Sequence, residues 1–152
     1  MTPAVASGPA TGASVGRFDD ILGAIGNTPM VGIQSLSPEP TIRLFAKLEG
    51  VNPTGSVKDR IAVALVDDLE RRGLLRPGKV LLDATSGNTG ISLALVATRR
   101  RYPLTLVMAD NVSPERRALV RAYGAEIIET PGALGSNGAV ARARELAAED
   151  ER

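Results

Sequence analysis

The segment Asn52–Arg60 reads NPTGSVKDR and leads from a turn into an apolar helix that carries Lys58 in its first turn. Lysine is scarce in the chain, since only Lys47, Lys58 and Lys79 stand beside fifteen arginines. A lysine amine that burial or nearby positive charge deprotonates can attack a carbonyl group, whereas arginine stays protonated. A cation at a helix N-terminus also opposes the macrodipole, at a cost of about 0.3–1 kcal/mol. The segment by itself fits either a solvated lysine or a reactive one.

The composition narrows the classes of function. The 152 residues carry a net charge of +1 and only 3% are aromatic, so no nucleic-acid partner is expected. Cysteine and histidine are absent, which excludes disulfides, thiolate nucleophiles, Cys/His metal sites and histidine-dependent triads, and no metal site is predicted. Acid–base chemistry near neutral pH must therefore come from a lysine or carboxyl group with a shifted pKa, or from a cofactor.

The sequence shows no targeting or membrane-spanning pattern. Residues 1–17 are rich in Ala, Gly, Ser, Pro and Thr, without a basic start or an apolar run, and are predicted to be a disordered tail. No later stretch reaches the apolar length that a membrane span needs. We expect a cytoplasmic protein without a membrane partner.

Regular secondary structure is predicted from Phe18 onward. A short helix follows Asp20, and a strand covers Met30–Ile33. Beyond Pro40, strands and helices alternate with short connections, which predicts an α/β fold: a parallel twisted sheet with helices on both faces. The predicted strands are Thr41–Leu48, Lys79–Ala84, Leu104–Ala109 and Glu126–Glu129, and the predicted helices are Val57–Arg72, Gly90–Arg101, Ser113–Tyr123 and Asn137 to the chain end. The first of these helices is predicted to bury a stripe of Val57, Ile61, Ala64, Leu65 and Leu69.

Two loops are expected at the carboxyl edge of this sheet, where such folds bind ligands. One is the turn before Lys58, and the other is Thr85–Gly90, which reads TSGNTG. The glycines of the second loop let a ligand approach the backbone, and its hydroxyl, amide and helix-start N–H groups donate hydrogen bonds. An uncharged loop of this kind can hold a carboxylate or a phosphate. A plain helix cap with glycines for the turn explains the same residues equally well.

Taken together, Asn52–Arg60 and Thr85–Gly90 resemble two site loops of the cysteine synthase family, part of the larger group that includes cystathionine β-synthase and threonine deaminase. The resemblance covers nearly all of residues 21–148. Its further matches are Ile25–Met30, Ser113–Arg117, and Gly124–Glu126 leading to Thr130–Gly132. The run Gly135–Ala139 is most similar to the B-type cysteine synthases, which are O-acetylserine or O-phosphoserine sulfhydrylases.

The resemblance implies a fold type II enzyme in which Lys58 forms a Schiff base with pyridoxal 5′-phosphate and then removes the substrate α-proton. The loop that holds the substrate carboxylate is matched by Thr85, Ser86, Gly87, Asn88 and Thr89. Asn88 also matches the residue that faces the ring hydroxyl of the cofactor. The implied reaction is a β-replacement that forms L-cysteine from an O-activated serine and a sulfur donor. Cystathionine synthesis and serine or threonine deamination are the alternatives within the group.

The same resemblance implies a division of the chain. Residues 1–17 are the tail, residues 18–40 pack on a large domain that the chain lacks, and residues 41–152 form the small α/β domain with the lysine and the substrate loop. The loop that surrounds the cofactor phosphate and the partner of the pyridine nitrogen are not found after Gly138. We therefore expect a truncated member of the family, homodimeric in its complete form and acting on small molecules. A catalytically inactive fragment is the alternative.

Overall fold

The computed structural model describes residues 16–152, so the tail predicted over residues 1–17 lies almost wholly outside the described part of the chain. The strands of the described part are β1 (Met30–Gly32), β2 (Phe45–Lys47), β3 (Leu81–Ala84), β4 (Leu104–Ala109) and β5 (Glu126–Thr130). Its α-helices are α1 (Lys58–Arg71), α2 (Asn88–Arg100), α3 (Pro114–Ala122) and α4 (Gly135–Glu149). Short 3-10 turns lie at Ile21–Ala24, Gln34–Leu36, Glu49–Val51 and Gly132–Leu134.

Strands β3, β4 and β5 form a parallel sheet in that order, and β4 is its centre. Leu106 and Met108 on one face of β4 join a buried core with residues of α2 and α3. Val107 on the opposite face is also fully buried, and α4 packs against all three strands. The predicted α/β fold, a parallel sheet with helices on both faces, is confirmed.

Capping residues set the helix ends close to where the sequence predicts them. Ser113 accepts a hydrogen bond of 3.5 Å from the Arg116 amide at the start of α3, and Pro114 is the first helical residue. Gly124 follows the helix at φ +82°, a left-handed conformation that glycine adopts without strain. Among residues 16–152, no helix combines the length and the apolar character needed to cross a membrane.

The strand predicted over Thr41–Leu48 is wrong in its extent and in its partner. Only Phe45–Lys47 is extended, and this strand, β2, pairs antiparallel with β1 in a separate two-stranded ribbon. Before Phe45 the strand pairing ends: the Leu44 carbonyl still accepts from the Ile33 N–H at 3.0 Å, but the Leu44 N–H donates to the side chain of Gln34 at 3.3 Å. The lysine turn therefore does not follow a strand of the parallel sheet.

Helix α1 buries a different face from the predicted one. Ala62 and Val66 are fully buried, together with Asp59, and only Leu69 of the predicted stripe packs against the core. The helix carries apolar residues on two sides, so the 3.6-residue period alone does not show which side faces α2. The exposed apolar row of α1 consists of Val57, Ile61 and Leu65, which are 42%, 40% and 48% exposed.

Gly90 lets the start of α2 pack closely on the sheet. A Cβ atom at this position would lie 2.8 Å from Thr85 Cγ2 and 3.2 Å from Leu106 Cδ1. We expect Gly90→Ala to lower the free energy of unfolding by up to about 2 kcal/mol, because overpacking costs about 1–3 kcal/mol and the better helix propensity of alanine offsets about 1 kcal/mol. Urea unfolding followed by circular dichroism measures the difference.

Gly87→Ala is the matched control for this prediction. Gly87 has φ −113°, and a Cβ atom added there meets nothing in the described structure within 4 Å. Its stability should stay close to that of the wild type. A Gly90→Ala variant as stable as Gly87→Ala would contradict the close approach of α2 to the sheet.

Candidate active site

The turn before α1 is built around the side chain of Asn52, which is 3% exposed. Its Oδ1 accepts a hydrogen bond of 2.9 Å from the Gly26 N–H, and its Nδ2 donates to the Glu49 carbonyl at 2.7 Å. Gly55, at φ +78°, closes the turn by donating to the Asn52 carbonyl at 2.7 Å. These bonds hold the turn against the N-terminal segment and fix where α1 begins.

An ion pair fastens the first turn of α1 to the 3-10 turn Glu49–Val51, and Thr28 links both to the N-terminal segment. Arg60 Nε donates to Glu49 Oε2 at 2.8 Å, and Arg60 Nη2 donates to Glu49 Oε1 at 3.0 Å and to Thr28 Oγ1 at 3.1 Å. The Thr28 hydroxyl in turn donates to Glu49 Oε1 at 2.7 Å. The hydrogen bond from Arg60, followed by that from Thr28, lowers the pKa of the Glu49 carboxyl to about 2.

Lys58 is the first residue of α1 and is half-buried. Its backbone N–H donates to the hydroxyl of Ser56 at 3.1 Å, which holds the main chain, while the side-chain amine has no hydrogen-bond partner among residues 16–152. Lys47 and Lys79 differ, because their amines donate to backbone carbonyl groups at 2.7 Å and 2.5 Å. Within the described part of the chain, Lys58 is thus the lysine whose amine makes no hydrogen bond.

The loop Thr85–Thr89 follows β3 and enters α2. The Thr85 N–H donates to a β4 carbonyl at 3.1 Å, so the loop starts at the carboxyl edge of the sheet. Helix α2 begins at Asn88 with Gly87 as its N-cap, and no described side chain caps it. Ser86 and Asn88 are exposed, and the other three loop residues are half-buried. The first backbone N–H groups of α2 are therefore left for an acceptor outside the helix, as an anion site requires.

Helix packing brings the two loops together. Helix α1 lies along α2, and Ser92 Oγ donates to Asp59 Oδ1 at 2.6 Å. Asp59 directly follows Lys58, and Ser92 lies one turn after Asn88 on the same face of α2. The predicted lysine and the predicted substrate loop thus occupy neighbouring helix starts.

Sequence reasoning did not single out Asp59, Glu49 or Arg60. The run Lys58-Asp59-Arg60 does contain a signal, because an acidic residue in the first turn of a helix is favoured by the macrodipole. Nothing in the sequence pairs Arg60 with Glu49, which lies eleven residues earlier across a turn. This contact depends on how the chain between Glu49 and Arg60 folds back on the start of α1.

The helix start that carries Lys58 thus lies next to an uncharged set of hydrogen-bond donors. Such a pair suits an aldehyde held by the amine and a carboxylate held by the donors. Among residues 16–152 there is no cluster of acidic side chains that could hold a metal ion. An α/β protein with this arrangement could hold a carbonyl compound through its lysine.

Comparison with known proteins identifies the family. Residues 21–152 match the family model described as pyridoxal-phosphate dependent enzyme. The chain belongs to this family, and its cofactor is pyridoxal phosphate. The prediction of a fold type II enzyme is thereby confirmed.

Individual relatives are consistently longer than the chain. Over 130 residues it is 50% identical to O-ureido-L-serine synthase of Streptomyces lavendulae, covering 86% of this chain and 40% of that protein. Over 115 residues it is 52% identical to cysteine synthase B of Salmonella typhimurium, covering 76% and 38%. A solved cysteine synthase from Entamoeba histolytica superposes with a TM-score of 0.82 at 33% identity, covering 98% and 44%. The resemblance to cysteine synthases is confirmed, and the chain spans about two fifths of the length of these relatives.

Glu49 makes part of the stability of the chain depend on pH. Its pKa of about 2 in the folded state lies below the ordinary value of 4.5. Ionised Glu49 therefore stabilises the folded state above about pH 4.5, and this contribution is lost as the pH falls towards 2. We expect Glu49→Gln to be less stable than the wild type at neutral pH and to show a shallower loss of stability over that acid range. Urea unfolding at a series of pH values measures both effects.

The control is Glu39→Gln, because Glu39 is exposed and its carboxyl has no hydrogen-bond partner among the described residues. This variant should retain the wild-type slope of stability against pH. The same slope in Glu49→Gln and in the wild type would show that the ion pair with Arg60 does not stabilise the fold.

Proposed function

We propose that the chain is the part of a pyridoxal-phosphate-dependent β-replacement enzyme that carries the cofactor lysine and the substrate loop. The reaction forms L-cysteine from an O-activated serine and a sulfur donor. Two cysteine synthase B relatives at 52% and 50% identity support it. The observation that carries the proposal is the position of the unbonded Lys58 amine at a helix start next to the uncapped start of α2.

The described residues fit the reactive end of the cofactor. A primary amine such as that of Lys58 condenses with an aldehyde, and no other described group engages it. Asn88 is exposed at the start of α2, where its amide can face the ring hydroxyl. When bound, pyridoxal phosphate supplies an electron sink that stabilises negative charge at the α-carbon of an amino acid.

Lys58 has two tasks in this proposal. Its Nζ would hold the cofactor and, once released from it, would accept the α-proton of the substrate. The main chain beneath it is fixed by the Ser56 hydroxyl and by the bonds of Asn52. The side chain can thus move between the two tasks while its backbone stays in place.

The loop Thr85–Thr89 orients the substrate. Its backbone N–H groups and hydroxyls bind the carboxylate, and because the loop has no charged side chain the anion is held by dipoles alone. A carboxylate fixed at this point limits the rotation of the α-carbon, so that its C–H bond can be presented to Lys58. Orientation of this kind is a large part of what an enzyme adds to the chemistry of the cofactor.

Exposed apolar residues mark where the rest of a complete enzyme would dock. Apolar side chains are exposed along the α1 row, where Leu65 is 48% exposed. They are also exposed on the ribbon of β1 and β2, where Met30 is 66% and Phe45 is 49% exposed. Surfaces of this kind mark interaction sites. Because the chain covers 40% of the length of O-ureido-L-serine synthase, the occupant we propose is the remaining portion of such an enzyme, with residues 18–40 packed on it. The complete enzyme is proposed to be a homodimer.

The relatives are named for different products. O-ureido-L-serine synthase is as similar to the chain as cysteine synthase B of Escherichia coli, each at 50% identity. A solved O-acetylserine dependent cystathionine β-synthase from Helicobacter pylori shares 35% identity. Formation of L-cysteine is our first proposal, because cysteine synthases recur among both the sequence relatives and the structures. A fragment without activity of its own is the alternative.

Lys58 is the residue that the cofactor should modify. Pyridoxal phosphate added to the purified chain, followed by borohydride reduction and peptide mapping, is expected to place most of the adduct on Lys58. Lys47 and Lys79 serve as internal controls, since their amines are occupied by hydrogen bonds to carbonyl groups. Equal labelling of all three lysines, or labelling confined to the two controls, would contradict the assignment.

The chain alone should be a poor catalyst. We expect L-cysteine formation from O-acetylserine and sulfide to be at least about 100-fold slower than in a complete enzyme, because the chain spans about two fifths of its relatives' length and the rest of the cofactor is proposed to be held by the remaining portion. Adding the remaining portion of Escherichia coli cysteine synthase B should raise the rate. Chromatography of the products measures both.

A matched pair of variants tests the docking surface in the same assay. Leu65→Asp should abolish the rate increase, whereas Leu74→Asp, at an equally exposed leucine outside the proposed surface, should retain it. A rate for the chain alone that equals that of a complete enzyme would overturn the proposal that a portion is missing.

A further inference from the structure

Asp59 is a carboxylate that the interior of the protein encloses completely, with 0% exposure. Its Oδ2 accepts a hydrogen bond of 2.8 Å from the Thr54 N–H. Its Oδ1 accepts one of 2.6 Å from the Ser92 hydroxyl and a further one from the Thr54 hydroxyl. No arginine or lysine of residues 16–152 forms an ion pair with it. The carboxylate is therefore held by neutral donors and by the positive end of the α1 dipole.

The hydrogen-bond donors of this cluster, which are one N–H and two hydroxyl groups, require an acceptor at position 59. The hydroxyls of Thr54 and Ser92 lie 3.2 Å apart, and each has one proton, so when both donate to Asp59 neither donates to the other. A carboxylate accepts all three bonds. An asparagine of the same shape replaces one oxygen with an NH₂ donor and so must lose at least the bond from the Thr54 N–H or those from the two hydroxyls.

The cluster connects the two candidate loops. Thr54 belongs to the turn before Lys58, and Ser92 lies in α2 one turn beyond Asn88. Asp59 is the residue next to Lys58 and joins both. At the far end of the two helices, Arg100 of α2 forms ion pairs with Asp67 and Glu70 of α1 at 2.7 Å and 3.1 Å. The contacts of Ala62 and Val66 are apolar and lack the directional preference of a hydrogen bond, so the Asp59 cluster is the polar link at the end that carries the two loops.

We propose that Asp59 is a positioning residue that sets the place of Lys58 relative to the Thr85–Thr89 loop, through its hydrogen bonds to Thr54 and Ser92. The inference rests on the proposed function for the chemical roles of Lys58 and the loop. The hydrogen-bonded link between the two loops rests on the geometry alone. Asp59 does not touch the reacting atoms.

Three variants of the full 152-residue chain test the link. Ser92→Ala removes one hydrogen-bond donor to Asp59 through a small change of side chain. Asp59→Asn replaces the carboxylate acceptor with an amide of the same shape. Thr98→Ala is the control. It removes a hydroxyl group of the same helix, but one that lies at the far end of α2 and donates to the Tyr123 carbonyl. Urea unfolding confirms that each variant is folded and shows how much stability it has lost.

The first readout needs no cofactor. Hydrogen–deuterium exchange, followed by mass spectrometry, is measured for peptides that cover residues 52–60 and 85–92. Ser92→Ala is expected to raise exchange in both segments about fivefold, the equivalent of one neutral hydrogen bond, and Asp59→Asn by tenfold or more, roughly the equivalent of a bond to a charged group. Thr98→Ala should leave both segments unchanged at a similar loss of stability.

The second readout is the share of borohydride-reduced pyridoxal phosphate found on Lys58 relative to Lys47. Ser92→Ala should lower this share about fivefold, while Thr98→Ala leaves it as in the wild type. If Asp59→Asn does not fold, Ser92→Ala alone decides. A wild-type chain that does not favour Lys58 would refute the proposed function, and the exchange data would then decide on the link.

Two results would overturn the proposal about Asp59 while the proposed function stands. One is a wild-type preference for Lys58 that persists in Ser92→Ala with unchanged exchange in both segments. The other is an equal effect of Thr98→Ala and Ser92→Ala on both readouts, which would reduce Asp59 to a general contribution to stability.

Discussion

The packing of α1 on α2 is the contact on which the candidate site depends. Strand β2 lies outside the parallel sheet, so no strand of that sheet carries the lysine turn to its carboxyl edge. The loop Thr85–Thr89 reaches that edge through β3, whereas Lys58 reaches it only because α1 lies along α2. The usual rule that ligands bind beyond the strands of an α/β sheet thus holds for one half of the site, and helix packing supplies the other half.

Polar networks on two sides hold the start of α1. Asp59 bonds Thr54 and Ser92 on the side of α2, while Arg60 bonds Glu49 on the side of the N-terminal segment. Hydrogen bonds fix distance and direction, which apolar packing leaves looser. Lys58 directly precedes these two residues in the sequence, and its side-chain amine has no hydrogen-bond partner among residues 16–152. The hydrogen bonds of Asp59 and Arg60 hold the start of α1 in place, and the amine of Lys58 is not engaged by them.

Local signals explain what the sequence predicted well. The cap of α3 by Ser113 and the strand Leu104–Ala109 follow from residues close together in the chain, and both appear with the expected bounds. The loops were recognisable for the same reason, because their residues are contiguous. The partner of β2 and the buried face of α1 depend on segments distant in sequence, and the periodicity of either element fits more than one partner. Asp59 was missed because its donors lie 5 and 33 residues away.

The wrong face predicted for α1 has a physical meaning. A helix with apolar residues on two sides is suited to burial on both, and here only the row of Ala62 and Val66 is covered. At about 100° per residue, Lys58 projects between this inner row and the outer row of Ile61 and Leu65. A partner that covered the outer row would therefore close over the lysine from the side opposite α2. The same geometry that leaves the outer row exposed also places Lys58 beside it, so the proposed occupant of that row would lie next to the amine.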